Sequence, residues 1–313
     1  MAPADRAIFL LRTRRFLVDD LQFRTDDGSC SNYRRLIATA DTMVRYLIFD
    51  IETRVDKELV KQIYDPQDTL TVEQVYDKAR DMLLERSHQQ SDFFPIPFHI
   101  PIAIATLQAD EHYRIRALGC LGADRFSESE MVGRFWQIFE SAQTLVTFNG
   151  RGFDLPVLEM RALKHGLSLP RYFGDPKSRL NFRSSRYSDA CHMDLCDLLS
   201  NYGAVFRRGS LDVLARIIGL PGKYLIEGED VEYLYRLQRL KEINQYCITD
   251  VLQTFLLFLR VELLRGRLTT DAYQSAVHAA REDLQQRAAA AGPENFLADS
   301  LQRWKIQEGP PQH

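Results

Sequence analysis

The sequence predicts an α/β fold, a mixed sheet flanked by helices with a helical appendage at its C-terminal end. Three observations carry that expectation. Strand-like segments at residues 46–51, 102–107 and 112–118 come first, a helix and a fourth strand follow, and the remainder is mostly helical in pattern. With 313 residues, 45% hydrophobic and 11% aromatic, the chain is long enough and apolar enough to bury a full core. Its formal charge of −3 excludes the global basicity of many non-specific nucleic-acid binders, so any such site must be local.

The elements follow in order. Residues 1–42 show neither a helical nor a strand period. They are expected to be a loosely ordered extension, or sequence ahead of a start at Met43, where the patterned stretch opens. Residues 46–51, Tyr-Leu-Ile-Phe-Asp-Ile, have the aromatic and branched composition of a buried strand. Thr71-Val72-Glu73-Gln74 has the form of a capping box, and Val75, Tyr76, Ala79, Met82 and Leu83 then recur at helical spacing. Pro95, Pro97 and Pro101 punctuate an extended entry into residues 102–107, and residues 112–118 alternate as an antiparallel strand does.

Ser127-Glu128-Ser129-Glu130 repeats the capping pattern, ahead of an apolar helical face made by Met131, Phe135, Ile138 and Phe139. Residues 144–148 form a short strand that stops at Asn149-Gly150. A helix is expected over 153–164, with Pro156 in its first turn and Gly166 past its end. Ser210 and Gly219 bracket another short helix, a long one covers 243–264, and 272–290 makes a last one behind Thr269-Thr270-Asp271. The expected organisation is an extension at 1–42, a main domain at 43–265, and a helical segment and tail at 266–313.

Five cysteines, Cys30, Cys120, Cys191, Cys196 and Cys247, are odd in number and scattered, which speaks against a disulfide framework and for a reducing, cytoplasmic setting. Cys191-His192 followed by Cys196 lacks the second ligand pair that a zinc spacing needs. Residues 251–264, the longest apolar run, are broken by Arg260 and Glu262, so no membrane association is expected. Arg12, Arg14 and Arg15 interrupt residues 8–18, and Asp5, Asp19, Asp20, Asp26 and Asp27 argue against a transit peptide.

Three acidic motifs stand out. In Asp50-Ile51-Glu52 the carboxylates sit at i and i+2 of a strand, so both point to one face and can meet one cation. Isolated carboxylates in apolar surroundings are unfavourable, and a divalent cation would offset their repulsion and desolvation. In Asn149-Gly150-Arg151-Gly152-Phe153-Asp154 a strand stops, two glycines allow a turn, and a helix begins; the helix dipole alone would also favour Asp154 there. Tyr246 and Asp250 lie at i and i+4 of the long helix, on one face about a turn apart. Each motif alone is also explained by a surface turn, a helix start or a core-edge tyrosine.

Taken together and in this order, the three motifs resemble those of the DEDDy 3′-5′ exonucleases over roughly residues 43–265. The resemblance is closer to stand-alone bacterial exonucleases related to the proofreading domain of family B DNA polymerases. Residues 93–99, 182–188 and 192–198, and Ser210-Leu211-Asp212 running toward Gly219-Leu220-Pro221-Gly222-Lys223, look like that subfamily's intervening motifs. Tyr246, standing where the related DEDDh branch has histidine, places the chain on the tyrosine branch.

The resemblance implies a ribonuclease H-like fold and hydrolysis at the 3′ end of nucleic acid, single-stranded DNA in the first instance, with two divalent cations, Mg²⁺ or Mn²⁺. It implies that Asp50, Glu52, Asp154 and Asp250 ligate the metals and that Tyr246 orients the attacking water. It also implies substrate contacts at Thr53, Asn149 and Phe153. Between residues 171 and 189, Arg171, Lys177, Arg179, Arg183 and Arg186 alternate with Tyr172, Phe173, Phe182 and Tyr187, a composition suited to a single strand, or to a solvated loop. Arg183 and Arg186 are the candidate strand contacts there. Two alternatives stay open in the sequence: an exoribonuclease acting on RNA or short oligoribonucleotides, since no motif reveals contacts to the sugar 2′ position, and a non-catalytic nucleic-acid-binding protein on a nuclease fold. His99, His165 and His192 have no partner that would make them general bases and are expected to be structural.

Overall fold

The computed structural model describes residues 44–121, 127–174, 181–183, 186–205, 210–221, 228–291 and 296–304. The expectations for residues 1–42, and those for Cys30, Lys177, Arg179 and the Gly222-Lys223 end of the last motif, fall outside the described residues.

A five-stranded mixed sheet with the order β3-β2-β1-β4-β5 forms the centre. Its strands are β1 (Val44–Val55), β2 (His99–Ala109), β3 (Ile115–Leu121), β4 (Ala142–Thr147) and β5 (His192–Asp194). Strand β1 is antiparallel to β2 and parallel to β4, β2 is antiparallel to β3, and β4 is parallel to β5. Since β1 is central and covered on both faces, its sequence is a continuous apolar run rather than an alternation. Its two faces serve different cores. Tyr46 and Ile48 join one cluster, with Cys247, Val251 and Phe255, while Leu47, Phe49 and Ile51 join the other, with Phe135, Phe139, Leu155 and Leu158.

The helices are α1 (Lys57–Tyr64), α2 (Val72–Arg86), α3 (Glu128–Ser141), α4 (Asp154–Lys164), α5 (Pro170–Phe173), α6 (Leu195–Leu199), α7 (Leu211–Ile217), α8 (Gly228–Arg236), α9 (Leu240–Leu264), α10 (Thr270–Ala291) and α11 (Phe296–Arg303). At the start of α2 the capping box forms in full: the Gln74 N–H donates to Thr71 Oγ1, and the Thr71 N–H donates to Gln74 Oε1. Helix α9 is apolar nearly all round, with 15 of its 25 residues buried, because it packs across β1 and β2 and against α7, α8 and α10. Phe49, Phe135, Phe139, Phe255 and Phe258 are fully enclosed, each such side chain contributing about 1.5–3 kcal/mol.

Strand β1 runs farther than expected, from Val44 to Val55, and α1, α5, α6, α8, α11 and β5 add to the elements read from pattern. Strand β5 has only three residues, too few to show a period, and exists because it pairs with β4. No helix among the described residues is long and apolar enough to cross a membrane.

Candidate active site

The site is built where β1 outruns its neighbour β4. Pairing of β1 with β4 ends at Ile48 opposite Val146, so beyond it one edge of β1 has no strand to bond. A side chain takes over that role: the Ile51 N–H donates to Asp154 Oδ1 at 3.2 Å. Asp154 is thereby held against the backbone of the residue between Asp50 and Glu52. On the other side of β1 the register with β2 shifts after Glu52, with Glu52 opposite Ala103 and Thr53 opposite Pro101, so that Ile102 is an extra residue on β2. Pro101 is tolerated there because pairing with β3 begins only at Ile104.

Asp50 and Glu52 continue the face that Tyr46 and Ile48 turn toward α9. Cys247 of α9 meets them: one ligand-type atom from each of Asp50, Glu52 and Cys247 lies within 4.8 Å of the others. The Cys247 thiol donates to the Asp50 carbonyl oxygen at 3.3 Å. Without a cation, burial pushes that thiol well above its ordinary range, and neighbouring Cys120, Asp50 and Glu52 raise it further, so it stands there as a protonated donor. Asp250 follows Cys247 by three residues on α9, is 4% exposed, and its charge acts on Asp154. Tyr246, 6% exposed, stands one turn before it.

Asp154 is pushed up to about 7, first by burial and then by the charges of Asp194 and Asp250, against the hydrogen bonds from its own N–H and that of Ile51. The donors gathered here are mostly carboxylate oxygens, a set that fits hard divalent cations.

The turn from β4 into α4 explains Asp154's position. Asn149 takes a left-handed conformation, φ 66°, and its carbonyl accepts from the N–H groups of Gly152 and Phe153. A Cβ on Gly150 would lie 2.6 Å from Thr147 Cβ, so glycine is required there by close approach, whereas one on Gly152 would lie 2.9 Å from Asn149 Oδ1, a side-chain end that can shift. Asp194, at the end of β5 and 4% exposed, clamps the turn from below. Its carboxylate accepts from the N–H groups of Asn149 (2.9 Å), Arg151 (2.9 Å), Cys196 (3.0 Å) and Asp197 (3.3 Å). Sequence reading gave Asp194 no role, although the Asp-Leu-Cys-Asp pattern is that of a helix N-cap.

Thr53 and Phe153 meet through His99. The His99 Nε2–H donates to the Phe94 carbonyl at 2.9 Å, and a carbonyl can only accept, so Nδ1 of the neutral ring accepts from the Thr53 hydroxyl at 3.2 Å. Burial lowers the His99 pKa and keeps that ring neutral. Phe93 stacks on it at 4.7 Å and Phe153 meets it edge-on at 5.1 Å. His192 is buried and bonded to Thr147 Oγ1 at 2.8 Å, and His165 is bonded to Glu128 at 2.7 Å.

The basic aromatic segment divides. Tyr172 and Phe182 are core residues, and Arg171 caps the end of α3 by donating to the carbonyls of Phe139, Glu140 and Ala142. Arg183 pairs with Glu159 at 3.1 Å and Arg186 with Asp197 at 3.1 Å, while Phe173 and Tyr187 are exposed.

A mixed five-stranded sheet flanked by helices, with acids gathered at one end of its central strand, is the RNase H-like exonuclease fold. The chain belongs to a family of predicted 3′-5′ exonucleases related to the exonuclease domain of PolB, whose model matches residues 91–303. Asp154, Tyr246 and Asp250 lie inside the matched region; Asp50 and Glu52 precede it. No curated protein matches the chain.

Proposed function

We propose that the protein is a DEDDy-type exonuclease that removes nucleotides from the 3′ end of single-stranded DNA in the cytoplasm, with Asp50, Glu52, Asp154 and Asp250 holding two divalent cations, Mg²⁺ or Mn²⁺. The observation that carries this reading is the convergence on one stretch of β1: Asp154 bonds the Ile51 N–H, and α9 brings Cys247 against Asp50 and Asp250 near Asp154. A bound pair of such cations activates water and stabilises the charge that develops on the leaving 3′ oxygen.

The chain's own residues position and exclude. The Tyr246 hydroxyl orients the attacking water from one turn before Asp250, on a helix locked by core packing. Thr53, whose proton is committed to His99, offers its oxygen lone pairs to a donor on the terminal nucleotide. Phe153 and Asn149 contact that nucleotide from the turn that Asp194 clamps. Arg183 and Arg186 contact the strand farther out, where their ion pairs with Glu159 and Asp197 must first give way.

The test is digestion of end-labelled single-stranded DNA, duplex DNA and RNA with Mg²⁺, Mn²⁺ or EDTA. Release of mononucleotides from the 3′ end of single-stranded DNA, abolished by EDTA, is the expected result. Faster release from RNA would reassign the substrate, and no release from any of the three would overturn the reading.

A further inference from the structure

Beside the acids, past Glu52, β1 runs into a cleft of about 560 Å³. Arg54, Phe93, Tyr233, Arg80 and Arg236 line it, together with Thr53 and His99. Its charges are unevenly matched. Arg80 bonds Asp92 at 2.8 Å, and Arg236 bonds Glu232 at 3.1 Å, with Lys57 also on Glu232 at 3.2 Å. Arg54 has no such acid: among the described residues its guanidinium lies over the Tyr235 ring, 4.8 Å from the centroid, and makes no ion pair. Its Nε is buried without a hydrogen-bond acceptor. The terminal N–H groups of a guanidinium held without an acid can meet an incoming anion, although the buried Nε cannot.

The placement of Arg54 adds to this. Residues 50, 52 and 54 share one face of β1, so Arg54 stands about 6.6 Å along the strand from Glu52 on the side of the acids. That interval is comparable with the separation of successive phosphates on a strand. Phe93 supplies a ring, 58% exposed and backed by His99 and by Phe153, the neighbour of Asp154. Tyr233 is 61% exposed on the same cleft. The hollow on the other flank, lined by Asn149, Arg151 and Arg186, differs in that both of its arginines face Asp197, an acid that would compete with a phosphate, even though Arg151 Nε and Nη1 lack a hydrogen-bond partner.

We propose that this cleft holds the nucleotide next to the cleaved linkage, Arg54 binding its phosphate and the Phe93 ring stacking on its base. The inference rests on the exonuclease reading. Charge and ring together give binding without sequence preference, so the ligand is a single strand.

The experiment measures binding of a 5′-fluorescein oligothymidylate of about eight nucleotides, within the site sizes common for single strands, by anisotropy with Ca²⁺ over a range of salt. The same oligonucleotide with Mn²⁺ reports hydrolysis by the parent. Arg54→Met is expected to weaken binding several-fold and to reduce the slope of log affinity against log salt by about 0.7, one phosphate contact. Arg54→Lys keeps the slope. Phe93→Ala, at an exposed position, weakens binding about tenfold, the order of one stacked base, without changing the slope. Parental slope for Arg54→Met and parental affinity for Phe93→Ala, in a protein that does hydrolyse the oligonucleotide, overturn the cleft alone. Shifted variants of a parent that binds but releases no nucleotide overturn the exonuclease reading and leave the cleft as a nucleic-acid site.

Discussion

The two ends of α4 meet carboxylates in opposite circumstances: its last turn faces Glu128 of α3, and its first turn bears Asp154. At its last turn, Arg161 reaches Glu128 (2.8 Å) and Asp56 (3.3 Å), and Lys164 and His165 close on the same Glu128. Burial alone would push Glu128 up, but the hydrogen bonds from Arg161 and His165 and the charges of Arg161 and Lys164 outweigh it and hold the carboxyl at about 2. At the first turn, Asp154 is pushed up to about 7 by burial and by the charges of Asp194 and Asp250. One end of the helix therefore supplies cations that stabilise an acid of α3, and the other bears an acid that sits among charges of its own sign. The first arrangement staples α3, α4 and the start of α1. The second works against folding and leaves room for a cation from outside the chain to offset it.

The largest expected effect breaks the comparison at its functional end. Asp154→Ala and Asp250→Ala should each lower the single-turnover rate of hydrolysis by roughly a thousandfold or more, on the scale of lost charge stabilisation, with an unchanged circular dichroism spectrum. Undiminished, EDTA-sensitive turnover would remove that residue from the site. Next in size is Arg161→Met, which removes the buried cation shared by Glu128 and Asp56 and leaves them only the half-exposed Lys164. Its expected loss is about 3 kcal/mol of stability in urea unfolding, with hydrolysis per folded molecule retained. A variant as stable as the parent would show that this end of α4 is no staple.

Tyr246→Phe should slow the chemical step by about ten- to a hundredfold, less than Asp250→Ala, because orientation is lost while the ligands remain. Single-turnover rates paired with Mn²⁺ titration by calorimetry separate the two roles: parental rate in Tyr246→Phe shows the hydroxyl is unneeded, and lost Mn²⁺ binding shows it is structural.

The smallest effects are in pH, and their signs differ between the two ends. For Glu128 the folded pKa is depressed, so its contribution is full above the unfolded value of about 4.3 and is lost as pH falls toward about 2. For Asp154 the folded pKa is raised, so the folded state binds more protons than the unfolded one between about 3.9 and about 7, and its contribution falls as pH rises through that window. Metal-free Asp154→Asn should consequently melt higher than the parent at pH 8, while Glu128→Gln melts lower. Equal melting temperatures for Asp154→Asn and parent would mean that Asp154 is not strained by its neighbours.

Much of this was legible in the residues because it is local. Strand alternation puts Asp50 and Glu52 on one face, helix spacing puts Tyr246 and Asp250 on one side, and the glycines after Asn149 announce a turn, tight enough at Gly150 to leave no room for a Cβ. The apolar runs of β1 and α9 likewise declare elements buried all round. Each of these follows from backbone geometry within a few residues. Family resemblance added the order in which the motifs occur, and with it the fold.

What the tertiary structure decided is which charges find partners. Arg171, Arg183 and Arg186 look alike in sequence, yet one caps a helix and two pair with Glu159 and Asp197. Arg54, with Glu52 and Asp56 two residues away in sequence, ends over Tyr235 without an acid, and Cys247 meets Asp50 from 197 residues away. Asp194 clamps the Asn149 turn only because β5 pairs with β4. Local spacing determines where a side chain points from its own strand or helix, by bond geometry alone; whether a charge is matched depends on what distant parts of the chain bring beside it when they pack.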